Sequence, residues 1–211
     1  MYRKLNDTGP SIMQEDIAAL EGLVGFPLPS DYAAFLLRHN GGSPTPGTVP
    51  IEEWPEGGTH DDVRMLYHLG PNAADDVYDL RWNFQALAGR IPPGLLPIAD
   101  TGGGDEFCLW LTGEERGAVV LWDHEAERHP PTRANLHRVA PTFTKFLELL
   151  ADQPEDPVPP RAVLRRAANK AAGYDEQPEG YDWHHAGDGK MQLVPRSIHM
   201  RTGHNGPLHS H

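Results

Sequence analysis

Residues 180–204 read GYDWHHAGDGKMQLVPRSIHMRTGH, and this segment holds four of the 12 histidines of the chain. Its Ala186–Gly189 portion has the composition of a tight turn, and the apolar run Met191–Val194 after it predicts a strand. Pro195 is suited to the first turn of a helix that carries His199. The pattern therefore predicts a strand, a turn, a second strand and a short helix.

The four histidines occupy distinct positions in this pattern. His184 and His185 are neighbours, and neighbouring side chains on a strand point to opposite faces, so one can bind a metal while the other faces a water. His199 and His204 are spaced more widely than the three or four residues that place two ligands on one helix face. Gly203 can end the helix and allow His204 to return from a loop. This is the arrangement of a ββα-metal site, with the ion between the first strand and the helix.

Such a site is suited to the hydrolysis of phosphodiester bonds. A divalent ion can stabilise a phosphorane-like transition state and the leaving oxygen. An imidazole whose pKa lies near neutrality can deprotonate the attacking water. The alternative is that the histidines are solvated or structural, which is our interpretation of His209 and His211 at the C-terminus.

Several short blocks in this region follow an order known from one family. They are Asn169–Gly173, Pro178–Tyr181, Trp183–His185, Met191–Pro195, His199 and His204. Residues 161–206 thereby resemble the WHH subgroup of HNH/endonuclease VII-type nucleases, which often form the C-terminal toxin module of bacterial polymorphic toxins. The chain departs from the family pattern after His204, where it reads His-Asn-Gly-Pro and the family His-Thr-Gly-Gly.

The resemblance implies a role for each histidine of the segment. It places His184 at the first metal-ligand position, His199 at the second and His204 at the third, and it places His185 at the position of the general base. It also implies a divalent cofactor, for which Mg²⁺, Ni²⁺ and Zn²⁺ are the alternatives, and nucleic acid as the substrate of the C-terminal module.

The first 150 residues combine helical and strand patterns and predict an α+β domain. The predicted helices span Ser11–Gly25, Ser30–Asn40, Ala73–Leu87 and a segment that begins at Thr142. The predicted strands span Met65–Leu69, Leu95–Ala99, Glu106–Leu111 and Gly117–Trp122.

Two segments with ligand-type residues are interpreted as structural. Asp100–Asp105 is rich in glycine, but it joins two strands and lacks the Lys-Ser/Thr of a phosphate loop, so we predict a tight turn. Asp123–Glu125 reads Asp-His-Glu, and because consecutive side chains on a strand diverge, we predict an exposed strand end rather than a metal site. The lone Cys108 lies in an apolar run and is interpreted as a small buried hydrophobic residue.

A second series of short blocks lies in the N-terminal region. The blocks are Leu20-Glu21, Leu28-Pro29, Asp31-Tyr32, Phe35-Leu36, Asn40–Gly42, Leu96–Ala99, Gly104-Asp105, Gly117, Trp122–His124, Phe143, Phe146 and Leu147. Residues 12–150 thereby resemble the SUKH superfamily, also called the Smi/Knr family. The resemblance implies helices packed on an antiparallel or mixed sheet, and a protein-binding module that most often acts as an immunity protein against a nuclease toxin.

The charge of the chain is concentrated in this first region. Residues 1–150 carry 11 Lys and Arg against 22 Asp and Glu, whereas residues 151–211 carry seven against eight. An acidic surface repels phosphate and favours a basic partner, which predicts a basic nuclease toxin or another protein as the ligand of the first domain. Excess carboxylate that only keeps the domain soluble is the alternative.

These observations predict a SUKH-like protein-binding domain at 1–150, a proline-rich linker at 151–160 and a WHH/HNH-like nuclease module at 161–211. The helix predicted over Arg161–Ala172 is basic and can offer Arg161, Arg165, Arg166 and Lys170 to phosphates, with a solvated helix face as the alternative. The module is small, and we expect it to need the metal or the first domain to hold its shape.

Two classes of function follow from these modules. The first is a bacterial toxin-immunity-system protein that pairs an acidic SUKH domain with a metal-dependent HNH-type endonuclease. The second is a non-enzymatic immunity protein that neutralises a nuclease toxin, with its WHH segment as a remnant or a decoy. In a hybrid of the two, the acidic domain covers the nuclease of its own chain.

The sequence also predicts where the protein acts. No apolar run approaches the roughly 18 residues of a membrane helix, and residues 1–8 lack an apolar signal core, which predicts no membrane partner and no export address. A single cysteine is typical of a reducing compartment. We therefore expect a cytoplasmic protein.

Overall fold

The computed structural model describes residues 4–52, 60–72, 74–152, 160–186 and 190–202. The fold is α+β. The helices are α1 (Gln14–Val24), α2 (Ser30–His39), α3 (Leu80–Ala86), α4 (Phe143–Leu149), α5 (Pro160–Ala172) and α6 (Arg196–His199). The strands are β1 (Lys4–Asn6), β2 (Ser43–Thr45), β3 (Thr48–Pro50), β4 (His60–Asp62), β5 (Met65–Leu66), β6 (Leu95–Asp100), β7 (Glu106–Trp110), β8 (Val119–Trp122), β9 (Leu136–Ala140), β10 (Tyr181–His185) and β11 (Met191–Pro195).

An antiparallel sheet in the order β5-β6-β7-β8-β9 forms the centre of the N-terminal region. Strands β6, β7 and β8 are buried along their whole length, because both faces of the sheet are covered. On one face, Phe107 and Leu121 share a core with residues of α1, α2 and α4. Cys108 and Trp122 belong to a second cluster on the opposite face, which includes Met200 from the C-terminal region. The predicted packing of helices on an antiparallel sheet, and the burial of Cys108, are confirmed.

The first two helices and the last helix of the N-terminal region begin and end close to the predicted residues. Gly25 and Asn40 both adopt left-handed conformations that end α1 and α2. Thr142 caps α4 by accepting the backbone N–H of Lys145. The helix predicted over Ala73–Leu87 begins later, at Leu80.

The late start of α3 has a local cause. The carboxylate of Asp79 accepts the backbone N–H of Arg81 and caps the helix at this position. The Asn83 side chain donates to the carbonyl of Val77, which holds the preceding turn outside the helix. The strand predicted over Met65–Leu69 is likewise shorter, because only Met65 and Leu66 pair with β6. Strand β9 was not among the predicted strands.

The C-terminal region folds as a hairpin followed by a short helix. β10 pairs antiparallel with β11, with Trp183 opposite Leu193. Helix α6 follows β11 directly and packs back on both strands. The turn residues 187–189, residues 153–159 of the predicted linker, and His204 lie outside the described residues. Within the described part of the chain, no helix has the length and apolar character needed to cross a membrane.

Candidate metal centre

The C-terminal hairpin lies against the glycine-rich turn between β6 and β7. The backbone N–H of Trp183 donates to the carbonyl of Gly102 over 3.2 Å, and the side-chain amide of Gln177 donates to the same carbonyl over 2.8 Å. Asp100–Asp105 is therefore a turn in an antiparallel hairpin, as predicted. It is also a surface on which the C-terminal hairpin docks.

Arg196, the first residue of α6, makes the most deeply buried contact between the two regions. Its side chain has no exposed surface, and its guanidinium lies 2.8 Å from Glu106 Oε1 and 3.3 Å from Asp100 Oδ2 and Asp182 Oδ2. The guanidinium also donates to the hydroxyl of Tyr67. One cation of the hairpin is thus enclosed by carboxylates, two of which belong to the central sheet.

A second arginine and the raised pKa of Glu106 both reduce the net negative charge of this cluster. Arg64 Nε lies 3.3 Å from Asp100 Oδ2, and its guanidinium lies 3.8 Å from Asp182 Oδ1. Burial raises the pKa of Glu106 to about 8, although Arg196 acts in the opposite direction. Burial also disfavours the ionised form of Asp182, but Arg196 and other neighbours outweigh it and lower the pKa to about 2. Two guanidinium groups therefore face the carboxyl groups of Asp100, Glu106 and Asp182, and burial favours the protonated form of Glu106.

His184 on β10 and His199 at the end of α6 lie side by side. Their ring centroids are 5.2 Å apart and their planes are inclined by 73°. His199 is buried, and its Nδ1 lies 3.2 Å from Asp182 Oδ2. Burial lowers the pKa of His184, and the neighbouring His199 acts in the same direction, which favours the neutral form of the imidazole. A neutral imidazole is the form that binds a metal.

The spacing of these two rings fits one divalent ion. With metal–nitrogen distances of about 2.0 Å and tetrahedral angles, the centroids of two imidazoles on one ion lie roughly 5 Å apart. A carboxylate behind a ligand histidine, as Asp182 lies behind His199, orients the ring and leaves its other nitrogen for the metal. Imidazole donors suit zinc, nickel and other transition ions better than magnesium.

His185 has different surroundings from its neighbour, as the alternation of side chains on a strand requires. Its Nδ1 lies 3.4 Å from Glu125 Oε1, and its side chain is 33% exposed. A water or a substrate can therefore reach this ring, whereas His199 is covered. His204, the third ligand implied by the resemblance, lies outside the described residues.

The N-terminal region contributes a further histidine to the same place. His124 follows β8, is 4% exposed, and has its ring centroid 5.4 Å from that of His199. Asp123 beside it is also buried. The prediction of an exposed strand end at Asp123–Glu125 is therefore wrong for its first two residues, because the docked hairpin covers this end of the sheet.

Two carboxylates accompany His124. Asp105, Asp123 and His124 each offer one ligand atom, and these atoms lie within 4.8 Å of one another. Asp105 Oδ1, however, lies 3.1 Å from the backbone nitrogen of His124 and 2.6 Å from its Nδ1. Because this oxygen already accepts hydrogen bonds from the protein, we interpret the carboxylates as support for the imidazole ring rather than as a separate centre.

Comparison with known proteins identifies the family. The model of the SMI1/KNR4 family (SUKH-1) matches residues 12–149, more than half of the chain. The chain belongs to the SMI1/KNR4 (SUKH-1) family. A model of a nuclease of the HNH/ENDO VII superfamily with conserved WHH matches residues 173–208. The SPbeta prophage-derived uncharacterized protein YokK of Bacillus subtilis (strain 168) is 31% identical over 160 residues, which cover 69% of this chain and 78% of the relative. Both resemblances, and their order along the chain, are confirmed.

The SUKH region directs several carboxylates at the C-terminal region. Arg165 of α5 is buried and forms an ion pair with Asp61 of β4. Burial raises the pKa of Asp61 to about 6, although Arg165 acts to lower it. The interpretation that Arg165 is available to phosphates is therefore wrong, because the SUKH region holds its guanidinium. Arg90 pairs with Glu127 and also donates to the carbonyl of Met200, directly after α6.

The Asp-His-Glu sequence at Asp123–Glu125 indicated possible ligands, but not the WHH histidines beside them, which lie far along the chain. In the sheet of the SUKH region, Glu106 on β7 stands opposite Trp122 on β8. Asp105 precedes the first of these residues and Asp123 follows the second, so the two strand ends meet. A polar residue at the end of each of two neighbouring antiparallel strands was the signal available in the sequence.

Proposed function

We propose that this protein is a component of a bacterial toxin-immunity system, in which residues 161–211 form a metal-dependent HNH-type nuclease and residues 1–150 form a protein-binding SUKH domain. Residues 151–160 act as the linker. The observation that carries the nuclease assignment is the approach of His184 and His199, from a strand and a helix, to a separation suited to one ion.

Each of the site residues of the nuclease module has a separate role in phosphodiester hydrolysis. A divalent ion, when bound, supplies positive charge to a phosphorane-like transition state and to the leaving oxygen. His184 and His199 would hold that ion, and His204 would be the third ligand. Asp182 fixes the ring of His199 through its Nδ1.

His185 is the general base in this scheme. Its side chain is partly exposed, which allows it to take a proton from water, and Glu125 lies 3.4 Å from its Nδ1. A carboxylate in that place orients the imidazole and stabilises the imidazolium that proton transfer produces. His185 Nε2 is then the nitrogen that receives the proton.

The SUKH domain is proposed to bind a basic protein, with a nuclease toxin as the first candidate. Its 22 Asp and Glu against 11 Lys and Arg in residues 1–150 support this assignment. Complementary charge accelerates encounter with a basic partner and disfavours encounter with nucleic acid.

A second candidate function is a non-enzymatic immunity protein whose WHH segment is a decoy. The observation that favours it is the burial of His199, Arg165 and Arg196 against the SUKH region. Because two arginines of the module are held by carboxylates, they do not contribute to the binding of phosphates in this arrangement.

Cleavage of nucleic acid by the full chain distinguishes the two candidates. Purified protein is incubated with plasmid DNA and with RNA, with and without Mg²⁺, Ni²⁺ or Zn²⁺. The nuclease proposal expects cutting that requires the ion and falls by about 10²–10⁴-fold in His185→Ala. His129→Ala serves as the matched control, because the His129 side chain is 52% exposed. Metal-dependent cutting that His185→Ala leaves unchanged contradicts the assignment, and no cutting with any ion supports the decoy.

A further inference from the structure

We propose that His124 of the SUKH domain is a ligand of the same metal centre, so that imidazoles from both modules hold one ion. This inference rests on the proposed metal site at His184 and His199 and extends it to a residue outside the nuclease module. The WHH family model begins at residue 173 and does not include His124.

The three rings lie in a continuous group with His199 at its centre. The centroid of His199 is 5.4 Å from that of His124 and 5.2 Å from that of His184, and the inclinations are 82° and 73°. Both distances agree with the roughly 5 Å expected for two imidazoles on one ion.

His124 and His199 are supported in the same way. Each has its Nδ1 beside a carboxylate with no exposed surface, at 2.6 Å from Asp105 Oδ1 and 3.2 Å from Asp182 Oδ2. In metal sites, a carboxylate at one ring nitrogen of a ligand histidine sets the tautomer and presents the other nitrogen to the ion. Both rings therefore have Nε2 as the nitrogen for metal binding.

Gly104 shows how closely the two rings approach each other. A Cβ atom at Gly104 would lie 2.7 Å from His199 Cε1 and 3.0 Å from His124 Nε2. His199 Cε1 and the Cδ2–Nε2 edge of His124 thus border the same glycine. Only a residue without a side chain leaves this space, and the backbone φ of +97° at this position also favours glycine.

The proposal specifies the class of ion. His124, His184 and His199 supply three imidazoles, the ligand set of a catalytic zinc site, and His124 then takes the third-ligand position otherwise assigned to His204. The Irving–Williams order favours Zn²⁺, Ni²⁺ or Co²⁺ over Mn²⁺, while Mg²⁺ prefers oxygen ligands. A shared ion also links the modules, because its binding free energy is available only when the hairpin is docked on the SUKH domain.

Calorimetric titration of the full chain with Zn²⁺ and Co²⁺ tests the proposal without reference to cleavage. His124→Asn is the informative variant, because the amide retains a donor for Asp105 and lacks Nε2. We expect Zn²⁺ affinity to fall by more than the roughly 10–100-fold typical of an outer-shell substitution. We expect His129→Asn to retain the affinity of the wild type. His184→Asn should lose binding, since it removes a ligand of the proposed nuclease site.

The outcomes separate this inference from the proposed function. If His184→Asn loses Zn²⁺ and His124→Asn does not, the site stands and the SUKH ligand is refuted. If neither variant changes the affinity, the metal site itself is refuted.

A second variant, His124→Cys, gives a result that does not depend on a loss of metal affinity. Its complex with Co²⁺ should have a sulfur-to-cobalt charge-transfer band that the wild type lacks, and absence of the band in a folded, cobalt-bound variant refutes the inference.

Discussion

Replacement of Arg196 by methionine should detach the C-terminal hairpin and destabilise the whole chain. Methionine keeps an apolar stem in the site but removes the cation from Asp100 and Asp182, whose side chains have no exposed surface. The loss of one partner from a buried ion pair costs about 3–5 kcal/mol. Glu106 adds little to this cost. Burial raises its pKa to about 8 even with Arg196 present, and loss of that cation favours the protonated carboxyl group further.

The expected loss is measured by urea unfolding at pH 7, followed by tryptophan fluorescence. Trp82 and Trp122 are buried in the second apolar cluster together with Met200, so they report on both modules. A loss of 3–5 kcal/mol corresponds to a fall in Tm of roughly 6–20 °C for a chain of this size. Hydrogen exchange at the Trp183 amide, which bonds to Gly102 across the interface, should accelerate in parallel.

Arg133→Met is the matched control for this experiment. Arg133 pairs with Glu115 at 2.6 Å, but the two side chains are 67% and 53% exposed. Solvent-exposed pairs of this kind contribute less than about 1 kcal/mol. If Arg196→Met costs no more than Arg133→Met, the buried cluster does not hold the modules together and the reasoning is refuted.

Three further predictions follow from the same interface. Burial raises the folded-state pKa of Glu106 to about 8, above its unfolded value of about 4.3. Between these pH values the native state binds more protons than the unfolded state, so stability should fall as the pH rises from about 5 to about 8. In the wild type, this group should lower the unfolding free energy by roughly 1 kcal/mol for each pH unit, and Glu106→Gln should abolish that dependence. Gly104→Ala should cost about 1–3 kcal/mol through backbone strain and should also displace His199. Arg165→Ala should cost about 3 kcal/mol, since it leaves Asp61 buried without its cation.

Gly104→Ala and Arg165→Ala each have a control within the chain. Gly113 has a φ of +74° with no atom near its missing Cβ, so Gly113→Ala isolates the backbone strain from the collision at Gly104. The side chain of Arg166 is 41% exposed, and Arg166→Ala should change stability by less than about 1 kcal/mol. Equal losses within either pair contradict the prediction, as does a pH slope that Glu106→Gln leaves unchanged.

The order of elements in the WHH region follows from local chemistry and could be predicted. The signals that determine the hairpin and the helix are local, so both elements are as expected. They are the turn-forming residues at 186–189, the apolar run at Met191–Val194 and the proline at 195. Helix α3 begins later than predicted because Asp79 caps it at that position. The cap also acts over a short range, but the helical periodicity of the apolar residues before Asp79 favoured an earlier start.

The positions of His124 and Arg165 could not be predicted in the same way. From sequence alone, a polar residue at a strand end is expected to be exposed, and an arginine on a helix is expected to be solvated. Only knowledge of a covering element changes that expectation. Both residues are covered by contacts between parts of the chain far apart in sequence, since Arg165 reaches Asp61 and His124 lies against His199. No periodicity or motif encodes such contacts.

The docked arrangement changes the meaning of the acidic composition. A high carboxylate content predicted a basic partner, yet Asp61, Asp100 and Glu106 are directed at arginines of the same chain. A basic protein that binds to these carboxylates must displace Arg165 and Arg196, so its binding and the docking of the C-terminal region are thermodynamically linked and oppose each other. A partner that binds elsewhere on the SUKH domain carries no such penalty. Charge alone therefore does not define the recognition surface, because the free energy of a contact depends on what the carboxylate already binds.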